Sequence, residues 1–233
     1  MITTSFSEDI GFIFNKLKNR EHLSFSKYAD GEYKVLRNER ITNCDNWTFN
    51  PDIHIKEYQY LLDSFHYKHD DYYVGISCPC CQPMKHIQWM RDNVGTKNVT
   101  WANLFVNSNY TYFKEHFIPE FDRWEDDVIL IANEQGLKKK LPFKVDTYFP
   151  IKIGCWFNPE LQQIIDEMKS VANKSNNQLF LFSAGPLGNM LAHQLHIVNE
   201  NNTYIDIGST INPWITGNNR GYLRNRNSKT CIW

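Results

Sequence analysis

The triplet Asp30-Gly31-Glu32 places two carboxylates one residue apart, just after an alternating run, Leu23-Ser24-Phe25-Ser26, that suits a short half-buried strand. Tyr33-Lys34-Val35-Leu36-Arg37 beyond it continues readily as a helix. Asp30 and Glu32 are therefore expected in a strand-to-helix turn, with Gly31 between them letting the backbone bend. Two carboxylates so placed can face one divalent cation, leaving positions that substrate phosphates commonly fill. For the triplet alone, the other reading is a solvated acidic turn whose glutamate starts a helix.

Three further segments carry groups of this kind. Asn133-Glu134-Gln135-Gly136 offers an amide and a carboxylate able to bond ribose, base or metal-bound water. Ser183-Ala184-Gly185-Pro186-Leu187-Gly188-Asn189 reads as a small-residue turn opening a helix, whose unpaired N–H groups and dipole suit a phosphate. It lacks both the Gly-Lys-Ser/Thr ending of a P-loop and the G-x-G-x-x-G spacing, and a tight turn without a ligand is its alternative. Asp206-Ile207-Gly208-Ser209 supplies a carboxylate, Asp206, that is either a general base or a structural cap.

All four segments follow apolar runs, and the runs alternate with amphipathic stretches. Strands are expected at residues 23–28, 72–77, within 98–106, and at 128–132, 143–148, 178–183 and 203–207. Helices are expected from a Ser5/Glu8 capping box, from Asn50-Pro51, from Pro83, near 110–118, from Asn158-Pro159 and over 187–197. Continuous apolar strands separated by helices predict a single α/β, Rossmann-like domain. Its sheet should be mostly parallel, of about six strands, with helices on both faces. Ligands in such sheets bind beyond the carboxyl ends of the strands, so the four segments should share one edge. The domain is expected to span residues 1–208, with an irregular tail, 209–233, laid over it.

The 233 residues carry a formal net charge of -1, which offers no long-range attraction to nucleic acid. No stretch approaches the roughly 20 apolar residues of a membrane span, and the start lacks a signal-peptide pattern. The expected location is therefore the cytoplasm, the host's if the protein is viral. Among six cysteines, Cys78-Pro79-Cys80-Cys81 contains one C-x-x-C, but no second pair supplies the four ligands of a zinc site. These cysteines are expected as reduced thiols packed at a strand end, without disulfide or structural zinc.

The strings K-Y-A-D-G-E (27–32), F-S-A-G-P-L-G-N-M-L-A-H-Q-L (182–195) and Y-I-D-I-G-S (204–209) resemble those of the D-type (GT-D fold) glycosyltransferases. In that family R-F-G-D-G-E opens the domain, and a G-P-T-A-x-x-L-A turn-helix precedes a D-I-G-H segment. The resemblance implies that Asp30 and Glu32 hold manganese or magnesium against the diphosphate of a nucleotide-sugar donor, UDP-sugar being favoured. Lys27 stands where the family has arginine, keeping the cation without the bidentate fork. Gly185 and Pro186 match the glycine-proline turn, Asp206 and Gly208 the D-I-G, and Ser209 replaces the histidine.

On this reading Lys27, Asn133, Ser183, Gly185, Pro186, Gly188 and Ser209 contact the donor. Asp206 or Glu134 takes the proton of a glycan or glycoconjugate acceptor hydroxyl. Trp214, Arg220 and Tyr222 form an acceptor site or lid, or simply pack the tail. A homodimer, and the choice between inversion and retention, stay open. The competing readings are a non-catalytic nucleotide- or glycan-binding module and a phosphoryl or nucleotidyl transferase on the same fold.

Overall fold

The computed structural model describes residues 5–43, 47–152, 160–217, 220–224 and 231. The elements in chain order are α1 (Phe6–Lys18), β1 (Ser24–Lys27), α2 (Asp30–Leu36), β2 (Ile41–Thr42), β3 (Thr48–Phe49), α3 (Ile55–His66), β4 (Tyr72–Ile76), α4 (Met84–Asn93) and β5 (Val99–Trp101). Then α5 (Tyr110–Tyr112) runs through a π-helical segment, Phe113–Phe117, into α6 (Ile118–Asp122). They are followed by β6 (Val128–Asn133), β7 (Thr147–Ile151), α7 (Leu161–Ala172), β8 (Leu179–Ser183), α8 (Pro186–Val198) and β9 (Thr203–Asp206). The short α9 (Asn212–Ile215) and α10 (Gly221–Arg224) come last.

Seven strands form one sheet in the order β5-β4-β1-β9-β8-β6-β7, and every pairing is parallel. This is one strand more than the expected count. A separate antiparallel hairpin, β2-β3, had no clear signal, because two-residue strands are too short for alternation to register. The chain builds outward from β1 through β4 to β5, then crosses to the other half and returns to β9 beside β1. That reversal makes the carboxyl ends of β1 and β9 the switch point of the sheet, where ligands of open α/β sheets bind.

Side-chain alternation sorts the core into two layers. Along β8, Phe180 and Phe182 face one layer while Leu179 and Leu181 face the other. The first layer packs Leu61 and Phe65 of α3, Ile165 and Met168 of α7, and Leu187, Met190 and Leu191 of α8. The second packs Ile10, Ile13 and Leu17 of α1 with Phe113, Phe117 and Phe121. The Ser5 cap of α1 is formed, its Oγ accepting from the Glu8 N–H at 3.3 Å.

Other boundaries move for local reasons. The helix expected from Asn50-Pro51 starts only at Ile55, because Asn50 Oδ1 accepts from the Asp52 N–H in a side-chain turn. The strand expected at 143–148 is instead Thr147–Ile151. Asn158 and Pro159 lie outside the described residues, and α7 begins at Leu161. Residues after Gly208, expected to be irregular, form a 3₁₀ turn (Gly208–Ile211) followed by α9 and α10, with Ile211 and Ile215 buried against the domain. Among the described residues no helix is long and apolar enough to cross a membrane.

Candidate active site

Lys27, Asn133, Ser183 and Asp206 are the last residues of β1, β6, β8 and β9, so the four sequence segments do meet at one edge of the sheet. Asp30 and Glu32 lie in the first turn of α2 rather than in the loop before it. Ala29, extended, precedes the helix, and Glu32 folds back so that its Oε2 accepts from the Ala29 N–H at 2.9 Å. Residues two apart on a helix project in different directions. Accordingly Glu32 is buried and Asp30 exposed, although both line the same cavity. Gly31 is needed for close approach rather than for a bend. A Cβ there would stand 2.7 Å from Asn43 Nδ2 and 2.8 Å from the Trp47 ring, which the β2-β3 hairpin lays over α2.

The turn before α8 has the shape its small residues suggested. Gly185 has φ +56°, a conformation that side chains resist, and Pro186 is the first helical residue. A Cβ at Gly188 would press within 3.1 Å of the Phe182 Cβ, so this glycine seats the helix on β8. One turn on, Asn189 donates to Ser26 Oγ at 2.9 Å and to the Lys27 carbonyl at 2.7 Å, fastening α8 to the end of β1. Ser183 Oγ donates to the Gly208 carbonyl at 2.6 Å. Gly208 has φ +53°, and the Asp206 carboxylate accepts from its N–H at 2.9 Å.

Lys27 is the charge at the centre. Burial works against its ammonium, but the carboxylates of Asp206 and Glu32 outweigh that and raise its pKa above the ordinary lysine value. Burial raises the Glu32 carboxyl, with Lys27 opposing. It likewise raises Asp206 to about 6 against the pull of Lys27 and the Gly208 N–H. Two carboxylates thus share the Lys27 ammonium, and the Arg220 guanidinium also acts on it.

These groups surround a cavity of about 690 Å³, a size typical of ligand sites. Of the residues singled out in the sequence, Lys27, Asp30, Glu32, Asn133, Ser183, Gly185, Ser209, Arg220 and Tyr222 line it. The two candidate bases sit differently with respect to the cavity. Asp206 is 2% exposed and lies beneath Lys27 and Gly208, while Glu134 is exposed and turned off the lining between Asn133 and Gln135. Pro186, Gly188 and Trp214 also fall outside the lining, Pro186 and Gly188 as buried parts of α8 and Trp214 packed against the second core layer. Asn43, Trp47 and Lys152, which the sequence did not mark, do line it. A tryptophan beside two asparagines in a short loop carries no pattern that separates it from packing.

The tail closes one side. Tyr222 Oη and Ser209 Oγ lie 2.8 Å apart, and Tyr110 Oη donates to the Thr210 carbonyl at 2.9 Å. The cysteine reading is overturned in its premise, because Cys231 of the tail meets Cys78, Cys80 and Cys81 and completes a set of four.

The resemblance implies a divalent cation near Asp30 and Glu32. The residues fit one: both are oxygen donors of the kind hard cations take, and both line the cavity.

No family model and no curated protein matches the sequence. The structure is similar to one from Streptococcus sanguinis described as a new glycosyltransferase of domain of unknown function 1792. That protein is 14% identical, with 90% of this chain and 81% of that one covered and a TM-score of 0.61. A second similar structure, 15% identical, covers 87% of this chain and 77% of its own, with a TM-score of 0.57. It is described as the highly conserved domain of unknown function 1792 with a distinct glycosyltransferase fold. The chain has that fold, the one to which its sequence motifs point.

Proposed function

We propose that the protein is a glycosyltransferase moving a sugar from a nucleotide diphosphate, UDP-sugar foremost, to a hydroxyl of a glycan or glycoconjugate. One observation carries this reading: Lys27, Asp30, Glu32 and the glycine turn opening α8 all line one cavity at the switch point of the sheet. Those are the groups a sugar diphosphate needs, cationic and N–H donors for its phosphates and carboxylates for its counter-ion.

Charge develops on the leaving diphosphate as the sugar departs. Lys27, held by Asn189 from behind and by Asp206 from below, offers a positive charge that needs no rearrangement during reaction. Ala184 and Gly185, in the turn before α8, line the same cavity, and Arg220 from the tail supplies a second cation. Asp30 and Glu32 would hold manganese or magnesium, which when bound neutralises diphosphate charge. Trp47 and Tyr222 offer flat faces for a base or sugar ring. Asp30 and Glu32 are the only carboxylates lining the cavity among the described residues, so the acceptor proton passes to one of them or to the departing phosphate. Asp206 is a positioning residue for Lys27 rather than the base.

The test is to incubate the protein with a panel of nucleotide sugars and manganese, without acceptor, and to follow release of nucleoside diphosphate. Slow hydrolysis of one donor, reduced by about 10²–10³ in Lys27→Met, is expected. Nucleotide binding with no donor turned over would make the chain a binding module instead, and no binding at all would remove the reading.

A further inference from the structure

The loop between β4 and α4 turns tightly, the N–H groups of Cys81 and Gln82 both donating to the Cys78 carbonyl, at 3.1 and 3.0 Å. The turn gathers three sulfurs, and Cys231 brings a fourth from the far end of the chain. The Sγ separations are 3.1 Å for Cys78–Cys80, 3.3 Å for Cys80–Cys231, 3.5 Å for Cys81–Cys231, 3.6 Å for Cys78–Cys231 and 3.7 Å for Cys80–Cys81. All four lie within 4.8 Å of one another. None is paired in a disulfide, and five of the six pairs are in contact with the sixth, Cys78–Cys81, within 4.8 Å, which is closer to a tetrahedron than to two bonded pairs. Four sulfurs about 2.3 Å from a central zinc stand about 3.8 Å apart, close to the separations seen.

The surroundings suit thiolates. Asn107 Nδ2 donates to Cys231 Sγ at 3.1 Å and reaches Cys81 Sγ at 3.9 Å, and Asn103 Nδ2 donates to Cys78 Sγ at 3.5 Å. Side-chain amides directed at sulfur are the outer partners that orient and stabilise metal-bound thiolate. Cys78 and Cys231 are buried, and Cys80 and Cys81 stand at the surface, which gives an ion a way in.

We propose that Cys78, Cys80, Cys81 and Cys231 bind one zinc ion, which fastens the C-terminal segment to the β4–α4 loop. Binding releases the thiol protons to solvent, and four thiolates leave zinc no open position, so the ion is structural. Its place links it to the cavity on the other side of the same wall. Asn103 and Asn107 line that cavity while donating to the sulfurs, and Arg220 and Tyr222 line it from the segment that Cys231 anchors. The ion is therefore distinct from any cation at Asp30 and Glu32, and its presence does not depend on sugar transfer.

The experiment is elemental analysis of tag-free protein purified without added metal or chelator. About one zinc per chain is expected, with the four thiols unreactive to a thiol reagent until a zinc chelator is added. Cys80→Ser and Cys81→Ser, at exposed positions where the fold tolerates the change, should each lower zinc content, and Asn107→Ala should weaken zinc binding about 10–100-fold. Cobalt exchanged into the site should show the absorption of a tetrahedral thiolate complex, lost in the serine variants. Iron in place of zinc, a disulfide found by mass, or four freely reactive thiols in folded protein would each overturn the assignment. Full zinc with no donor hydrolysis would refute only the transferase reading.

Discussion

Asn189, in the first turns of α8, donates to the carbonyl of Lys27 at 2.7 Å, so the helix that opens at the glycine turn also sets the end of the strand that carries the cation. Both are buried against each other through Ser26, to which the same amide donates. Asn189→Leu leaves the Lys27 carbonyl and Ser26 hydroxyl without this donor. It should destabilise the fold by about 1–3 kcal/mol and weaken nucleotide binding beyond the loss of stability. Urea denaturation beside nucleotide titration checks both parts, and unchanged affinity in folded variant would show that the amide only packs.

Asp206 gives a pH dependence with a definite sign. Its pKa in the fold, about 6, lies above the ordinary carboxylate value of about 4, so it takes up a proton more readily folded than unfolded. The stability it contributes is complete below about pH 4 and is lost as the pH rises through about 6. Asp206→Asn should flatten the stability profile between those limits, measured by denaturation at a series of pH values, and should also weaken donor binding as Lys27 loses its counter-charge. An unaltered profile would mean that Asp206 is not the group titrating there.

Asp30 and Glu32 should separate in their effects. Asp30 is exposed at the cavity mouth, so Asp30→Asn should leave thermal stability within about 0.5 kcal/mol and remove the manganese dependence of UDP binding. Glu32→Gln keeps an oxygen for the Ala29 N–H and should behave similarly, whereas Glu32→Ala also loses the cap, at about 1 kcal/mol. Calorimetric titrations of UDP with and without manganese decide this, and equal affinities throughout would remove the cation from Asp30 and Glu32.

Gly208→Ala tests the floor of the cavity. Its φ of +53° resists a side chain, and the added Cβ would stand 2.3 Å from Lys27 Cε and 2.9 Å from Nζ. The variant should lose about 1–3 kcal/mol and most donor turnover, because Lys27 must move. Activity close to wild type would show that the position of Lys27 is not critical.

Much of this was legible in the chain because periodicity reports burial. The continuous apolar runs of β6 and β8 and the stripe Leu161, Ile164, Ile165 and Met168 each face two layers or one, as their patterns require. The parallel topology then brought Lys27, Asn133, Ser183 and Asp206 to one edge. What the patterns could not give was depth. Asp206 and Glu134 read alike as carboxylates after strands, yet one is sealed under Gly208 and the other stands in solvent, a difference set by three-dimensional packing. Nor does spacing bring Cys231 to Cys78, since a ligand so distant along the chain is found only once the tail has been laid down.

The pairing of β1 with β9, Ser24 beside Tyr204 and Phe25 beside Ile205, sets the order in which the molecule can be completed. β1 emerges from a growing chain long before β9. During synthesis β1 and the apolar β8 are both bare parallel edges until the strand between them arrives. Such long-range pairing is slow, and the half-sheets waiting for it are the species open to aggregation. The cavity lies across that junction, so its walls are not assembled until β9 is in place.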